Sequence, residues 1–230
     1  MMKLSYNGRL WLMTLAPALA YAAAGRLLRA LGLSGWLIPV LLFPAALLWT
    51  AARGGRRFGG LKRAGWKWWT PVVWLAAGFC LGGAARWTAR LLRLEDAVRA
   101  AEPSFGMIVT VCLAGPICEE LIYRGLVLDG ALAFLKPGRA VAVSAAVFAC
   151  SHGSPGRMLL ALPAGMLFGF AALRSKTLLA AALAHIAANA IQLPDDCAAA
   201  WILGFSVVFL VVYAAWKRKH PFEKADEQNQ

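Results

Sequence analysis

Eleven residues in the middle of the chain, "GPICEELIYRG" at 115–125, hold two adjacent carboxylates and an arginine in an otherwise apolar stretch. Some fourteen largely apolar residues precede Glu119. A charge in hydrocarbon costs on the order of 3 kcal/mol, so such groups require partners or a function. On a helix Glu120 and Arg124 are i and i+4 and can pair along one face, whereas Glu119 is turned away by about 100° and is left for acid–base chemistry. Two further apolar stretches each carry one histidine with an informative neighbour. In "VFACSHG" Phe148 and His152 are i and i+4, and in "LAHIAANA" His185 and Asn189 are i and i+4. Amide hydrolysis away from bulk water needs a water held and deprotonated, a donor for the carbonyl oxygen as it becomes an oxyanion, and an acid for the leaving amine. Glu and His can share the first and third tasks, and His and Asn can supply the second. The plainer alternative is a Glu–Arg pair that fixes helix packing, with hydrogen-bonded histidines in a core.

The elements that must position these groups are membrane helices. Of 230 residues 60% are apolar and only 15% charged, against the roughly 45–50% apolar content of soluble domains. A span needs about 20 apolar residues. Eight segments approach that length, at about 10–25, 35–52, 68–85, 105–127, 139–154, 157–173, 177–193 and 199–216. The expected architecture is an all-α polytopic bundle of about eight transmembrane helices. It forms a single domain over 1–216 with its motif-bearing core at 105–193, and 217–230 is a polar tail containing His220. No internal repeat is evident.

Six Lys or Arg in the connection 53–69 should hold that loop in the cytoplasm, which puts both termini there. Lys136, Arg139, Arg174, Lys176 and Lys217 to Lys219 agree, with Asp195 and Asp196 opposite. Arg26, Arg29 and the segment 86–102, a candidate interfacial helix, do not fit this pattern. Trp66, Trp68, Trp69 and Trp74 form a candidate aromatic belt. The first 25 residues could pass for a secretory signal, but an uncleaved first span fits a chain that continues as a bundle. The net charge of +13 reads as topology signal and lipid contact rather than nucleic-acid binding, because no basic groove-sized helix or stacking motif is present. "RGGRRFGG" lacks the strand and the GK[ST] of a phosphate loop. Cys80, Cys112, Cys118, Cys150 and Cys197 are an odd set without CxxC spacing, expected to be small buried hydrophobes rather than a disulfide framework.

Glu119-Glu120-x-x-x-Arg124, Phe148-x-x-x-His152 and His185-x-x-x-Asn189, in that order on three apolar segments, resemble the motifs of the CPBP family. These are intramembrane proteases that include the CAAX prenyl endopeptidase. The resemblance covers about 105–193, and the first hundred residues carry no matching motif. It implies a glutamic-type endopeptidase of a prokaryotic cytoplasmic membrane, acting on a membrane-anchored protein or peptide. Residues matching Glu119 and His152 would activate water, His185 and Asn189 would stabilise the oxyanion, and Glu120, Arg124 and Phe148 would support them. No cofactor is expected. Zinc on Glu119, His152 and His185 is the disfavoured alternative, since no HExxH is present. Some prokaryotic members look associated with protein sorting or peptide maturation. Two rivals stand beside this reading: a non-catalytic immunity or scaffold module, and a cysteine-dependent sorting protease using Cys150 or Cys118 beside His152. The span limits leave one tension, with Glu119 past the middle of its helix and His152 near the far end of the next.

Overall fold

The computed structural model describes residues 6–34, 37–52, 67, 69–94 and 104–193, and all regular structure among them is helical. Seven helices follow in order: α1 (Tyr6–Ala30), α2 (Leu37–Ala52), α3 (Thr70–Leu91), α4 (Phe105–Ala131), α5 (Pro137–Cys150), α6 (Pro155–Ser175) and α7 (Leu178–Ala190). Of these α3, α4 and α6 are long and apolar enough to cross a membrane. At 1.5 Å per residue α4 runs about 40 Å, while α5 and α7 reach only roughly 20 Å. The latter is short of the roughly 30 Å hydrocarbon layer. The short helices are sheltered instead: ten of the thirteen residues of α7 are buried, against α3, α6 and α4. Large apolar side chains such as Leu27, Leu48, Trp87 and Phe170 point outward, as a helix surface facing lipid requires.

Without a hydrophobic force between helices in lipid, close backbone approach through small residues drives their association. Gly78 and Gly82 on α3 are i and i+4, and a Cβ on either would collide with the α7 backbone at Ala184 or Ala188. Gly165 and Gly169 on α6 repeat the device against α5, where a Cβ on Gly165 would lie 2.9 Å from Ala145 Cα.

Helix α4 is widened twice. Thr110–Ala114 and Tyr123–Leu128 are π-helical turns, with Gly115 N–H reaching Thr110 O and Asp129 N–H reaching Arg124 O. Pro116, which cannot donate, follows the first. Such turns recur at functional sites. Here they bracket Glu119 and Glu120.

Several expectations need correction. The fifth span does not extend to residue 154: α5 ends at Cys150, and Ser151 to Ser154 form a turn in which Gly153 has φ 81°. The Ser154 side chain then caps α6 at Arg157 N, with Pro155 opening the helix. Arg86 and Arg90 belong to α3, which continues to Leu91, so they are not part of a separate interfacial helix. Trp74 is buried, and its Nε1 donates to Ser175 Oγ at 2.8 Å, so it ties α3 to α6 and is not a belt anchor. Cys112 and Cys118 are buried as expected, but Cys80 and Cys150 are exposed. The eighth segment, the basic loop over 53–66, Trp66, Trp68, Asp195, Asp196, Cys197 and the tail lie outside the described residues.

Candidate active site

The polar centre is assembled from α4, α5, α6 and α7. Arg124 is fully buried and donates from one terminal nitrogen to Glu120 Oε1 at 2.8 Å and from the other to Gly165 O at 2.9 Å. Its guanidinium also stands over the rings of Phe148, at 4.7 Å, and Phe168, at 5.4 Å. The glycine at 165 is what lets α6 come close to α5 here. His185 adds the third partner, with Nδ1 2.8 Å from the same Glu120 oxygen. A carboxylate can only accept from it, so Nδ1 carries the proton and Nε2 is turned outward. Phe168 stacks on the His185 ring, with centroids 4.4 Å apart and planes 19° apart. One buried carboxylate thus holds both a cation and a histidine.

Glu119 takes no part in that pair with Arg124. Its side chain is 25% exposed where that of Glu120 is 1%, and its Oε2 lies 3.7 Å from His185 Nε2. It opens into a cavity of about 840 Å³ walled by α1, α2, α4 and α5, whose lining includes Tyr21, Tyr123, Cys150, His152 and Arg157. His152 reaches the cavity from the turn after α5. Its Nδ1 lies 2.9 Å from Phe148 O, and because a carbonyl only accepts, Nδ1 carries the proton and Nε2 is basic. The Phe148 ring lies against His152, with centroids 4.7 Å apart. The i, i+4 relation read from the sequence therefore holds, although His152 sits beyond the helix. The same turn removes the tension between the positions of Glu119 and His152, since Glu119 falls midway along α4 and both face one cavity.

His185 and Asn189 share a face of α7, but they line a second cavity of about 370 Å³, between α3, α4, α6 and α7. Phe148 lines it too, and His152 and Arg157 border both spaces. Asn189 Nδ2 donates to Val111 O at 2.9 Å. In the widened register set by the bond from Gly115 to Thr110, residue 116 would serve Val111, and proline has no N–H to give. Asn189 therefore satisfies the carbonyl that Pro116 orphans, with its second N–H left over.

Phe148 meets Arg124, His152 and His185, Glu120 is bonded to Arg124 and His185, Glu119 lies 3.7 Å from His185, and Asn189 stands one turn beyond His185 on α7. They are distributed between two adjoining spaces rather than one. Among the described residues no three His, Cys, Asp or Glu side chains converge as metal ligands. Glu119 faces one space and His185 the other, with His152 bordering both. Three participants were not anticipated: Phe168, the Gly165 carbonyl and Tyr123. For Tyr123 a signal existed, because it lies at i+4 from Glu119; for the other two no local pattern points across to α4.

A polar, ionisable cluster enclosed by apolar helices points to an integral membrane protein. Residues 101–191 match the family described as type II CAAX prenyl endopeptidase Rce1-like. The match coincides closely with the motif-bearing stretch. No curated protein and no solved structure matches the chain.

Proposed function

We propose that the protein is a glutamic-type intramembrane endopeptidase that hydrolyses a peptide bond near the tail of a membrane-anchored protein or peptide. The observation carrying this reading is the unequal fate of the two glutamates. Glu120 is sunk in a buried ion pair, and Glu119 stands at the edge of an intramembrane cavity that His152 also lines. Glu119 takes a proton from the attacking water, with His152 Nε2 accepting from the same water and orienting it. His185, held through Nδ1 by Glu120, and the remaining N–H of Asn189 meet the carbonyl oxygen as charge develops on it. For His185 to donate from Nε2 it must be an imidazolium, and Glu119 and Glu120 flank it with compensating charge. When the C–N bond breaks, the nitrogen takes the proton held by Glu119. No metal is needed for these steps. The same reading takes the protein as an eight-span bundle with both ends cytoplasmic, in a prokaryotic cell membrane.

The test is cleavage of tailed, lipid-anchored precursors in proteoliposomes by the wild type, Glu119→Ala and His152→Ala. Both variants are expected to lose at least about 10²-fold in kcat, in line with removal of a positioned acid–base group. No loss in either would sink the mechanism, and a cellular effect surviving Glu119→Ala would favour a non-catalytic module.

A further inference from the structure

Glu119 has an i+4 neighbour of its own. Tyr123 lies one turn along α4, so the two share a face as Glu120 and Arg124 share the adjacent one. The tyrosine is wholly buried, and its ring meets Phe148 edge-on at 5.2 Å. Its carbonyl accepts from Ser144 Oγ at 2.8 Å. Both contacts come from α5, the helix whose end delivers His152, so ring and histidine are held to one frame. Tyr123 borders the 840 Å³ cavity together with Glu119 and His152. Its Oη is buried and has no hydrogen-bond partner. Buried polar groups are almost always satisfied, and an exception calls for a partner that arrives later. Phenylalanine would fill the same space and keep the same ring contact, so the hydroxyl is the one part that packing does not require.

We propose that Tyr123 Oη donates a hydrogen bond to the carbonyl oxygen of the scissile peptide as it becomes an oxyanion, which makes Tyr123 a catalytic residue on the Glu119 side of the site. This rests on the endopeptidase reading above. The water oxygen bonds to the carbonyl carbon as Glu119 takes its proton, and the C=O π pair moves onto oxygen. Tyr123 keeps its proton throughout, and its hydrogen bond strengthens. On collapse the pair returns, the C–N bond breaks, and nitrogen takes the proton from Glu119. His185 and Asn189 line the neighbouring cavity, and one amide N–H of Asn189 is committed to Val111 O. Tyr123 stands on the same wall as the base.

Tyr123→Phe in the full-length protein in proteoliposomes tests this. We expect kcat to fall about 10²-fold, as when one oxyanion donor is removed, with KM within about twofold of wild type. Affinity for a peptide phosphonamidate, a tetrahedral mimic, should weaken by the same factor as kcat/KM, because only a contact made in the transition state does so. Titrating the analogue on the folded fraction keeps this readout independent of any loss of stability. A kcat within threefold of wild type, a rise in KM at constant kcat, or undiminished analogue affinity would overturn the assignment. Cleavage abolished by Glu119→Ala but untouched by Tyr123→Phe overturns this inference alone, and no cleavage by the wild type overturns both.

Discussion

Replacing Arg124 by methionine keeps most of the side chain's apolar stem and removes its charge, its donors and the guanidinium's contacts with the Phe148 and Phe168 rings. What is lost is specific: the 2.8 Å bond to Glu120 Oε1 and the 2.9 Å bond to Gly165 O, which tie α4 to itself and to α6. Glu120 then remains an almost fully buried carboxylate whose one surviving partner is His185 Nδ1 at 2.8 Å. Breaking a buried ion pair from one side costs about 3–5 kcal/mol, because the other charge stays behind. Glu120→Gln keeps an oxygen that accepts from Arg124 and His185 but leaves the buried Arg124 cation without its counter-charge, and weakening these charge-assisted bonds costs at least roughly 1.5–3 kcal/mol. Independent losses would sum to roughly 4.5–8 kcal/mol, but the double variant leaves no uncompensated charge, and we expect a coupling of at least about 2 kcal/mol between the two changes. Reversible unfolding in bicelles, followed for wild type, both single variants and the double, measures this cycle. Additivity within about 0.5 kcal/mol, the behaviour of independent sites, would refute the idea that Glu120 and Arg124 act as one unit. Cleavage should fall in both single variants as well, because Glu120 is what aims His185.

Other outcomes follow from the same geometry. Gly78→Ala forces a Cβ into the Ala184 carbonyl, so α3 must part from α7; a loss of about 1–3 kcal/mol in the same unfolding assay is expected for such overpacking, and a neutral result would mean that α3 is not seated as described. Asn189→Ala orphans Val111 O and should cost about 1–3 kcal/mol. Adding Pro116→Ala, which restores an N–H at the missing position, should recover part of that stability without recovering cleavage. Full recovery of cleavage would assign Asn189 a purely architectural part. Cys150→Ala should retain activity within about twofold, because Cys150 borders the cavity but its thiol takes no step in the Glu119-based mechanism; a loss above about 10²-fold, the scale of a lost nucleophile or acid–base group, would revive the cysteine-dependent rival.

Much of the site was legible from spacing alone. Glu120 and Arg124 pair because an α-helix stacks i on i+4, and the same arithmetic separates Glu119 from them and joins His152 to Phe148. Spacing could not say that α5 stops at Cys150. That depends on Gly153 taking a left-handed φ and on Ser154 capping the next helix, signals that an apolar run conceals. Nor could it show the widened turns of α4, where one extra residue changes which carbonyl Pro116 fails to serve.

The sequence by itself determined that this chain is a membrane helix bundle, because apolar length and the scarcity of charge leave a long segment no other way to satisfy its backbone. It also determined which few polar residues had to be explained, since a charge in hydrocarbon is too costly to be incidental. Only the tertiary structure decided that Glu120 is shared between Arg124 and His185, that Gly165 supplies the third contact, and that Glu119 and Tyr123 face a different cavity from His185 and Asn189. Those are meetings between residues on different helices, and they are set by where glycines let backbones touch, not by any interval along the chain.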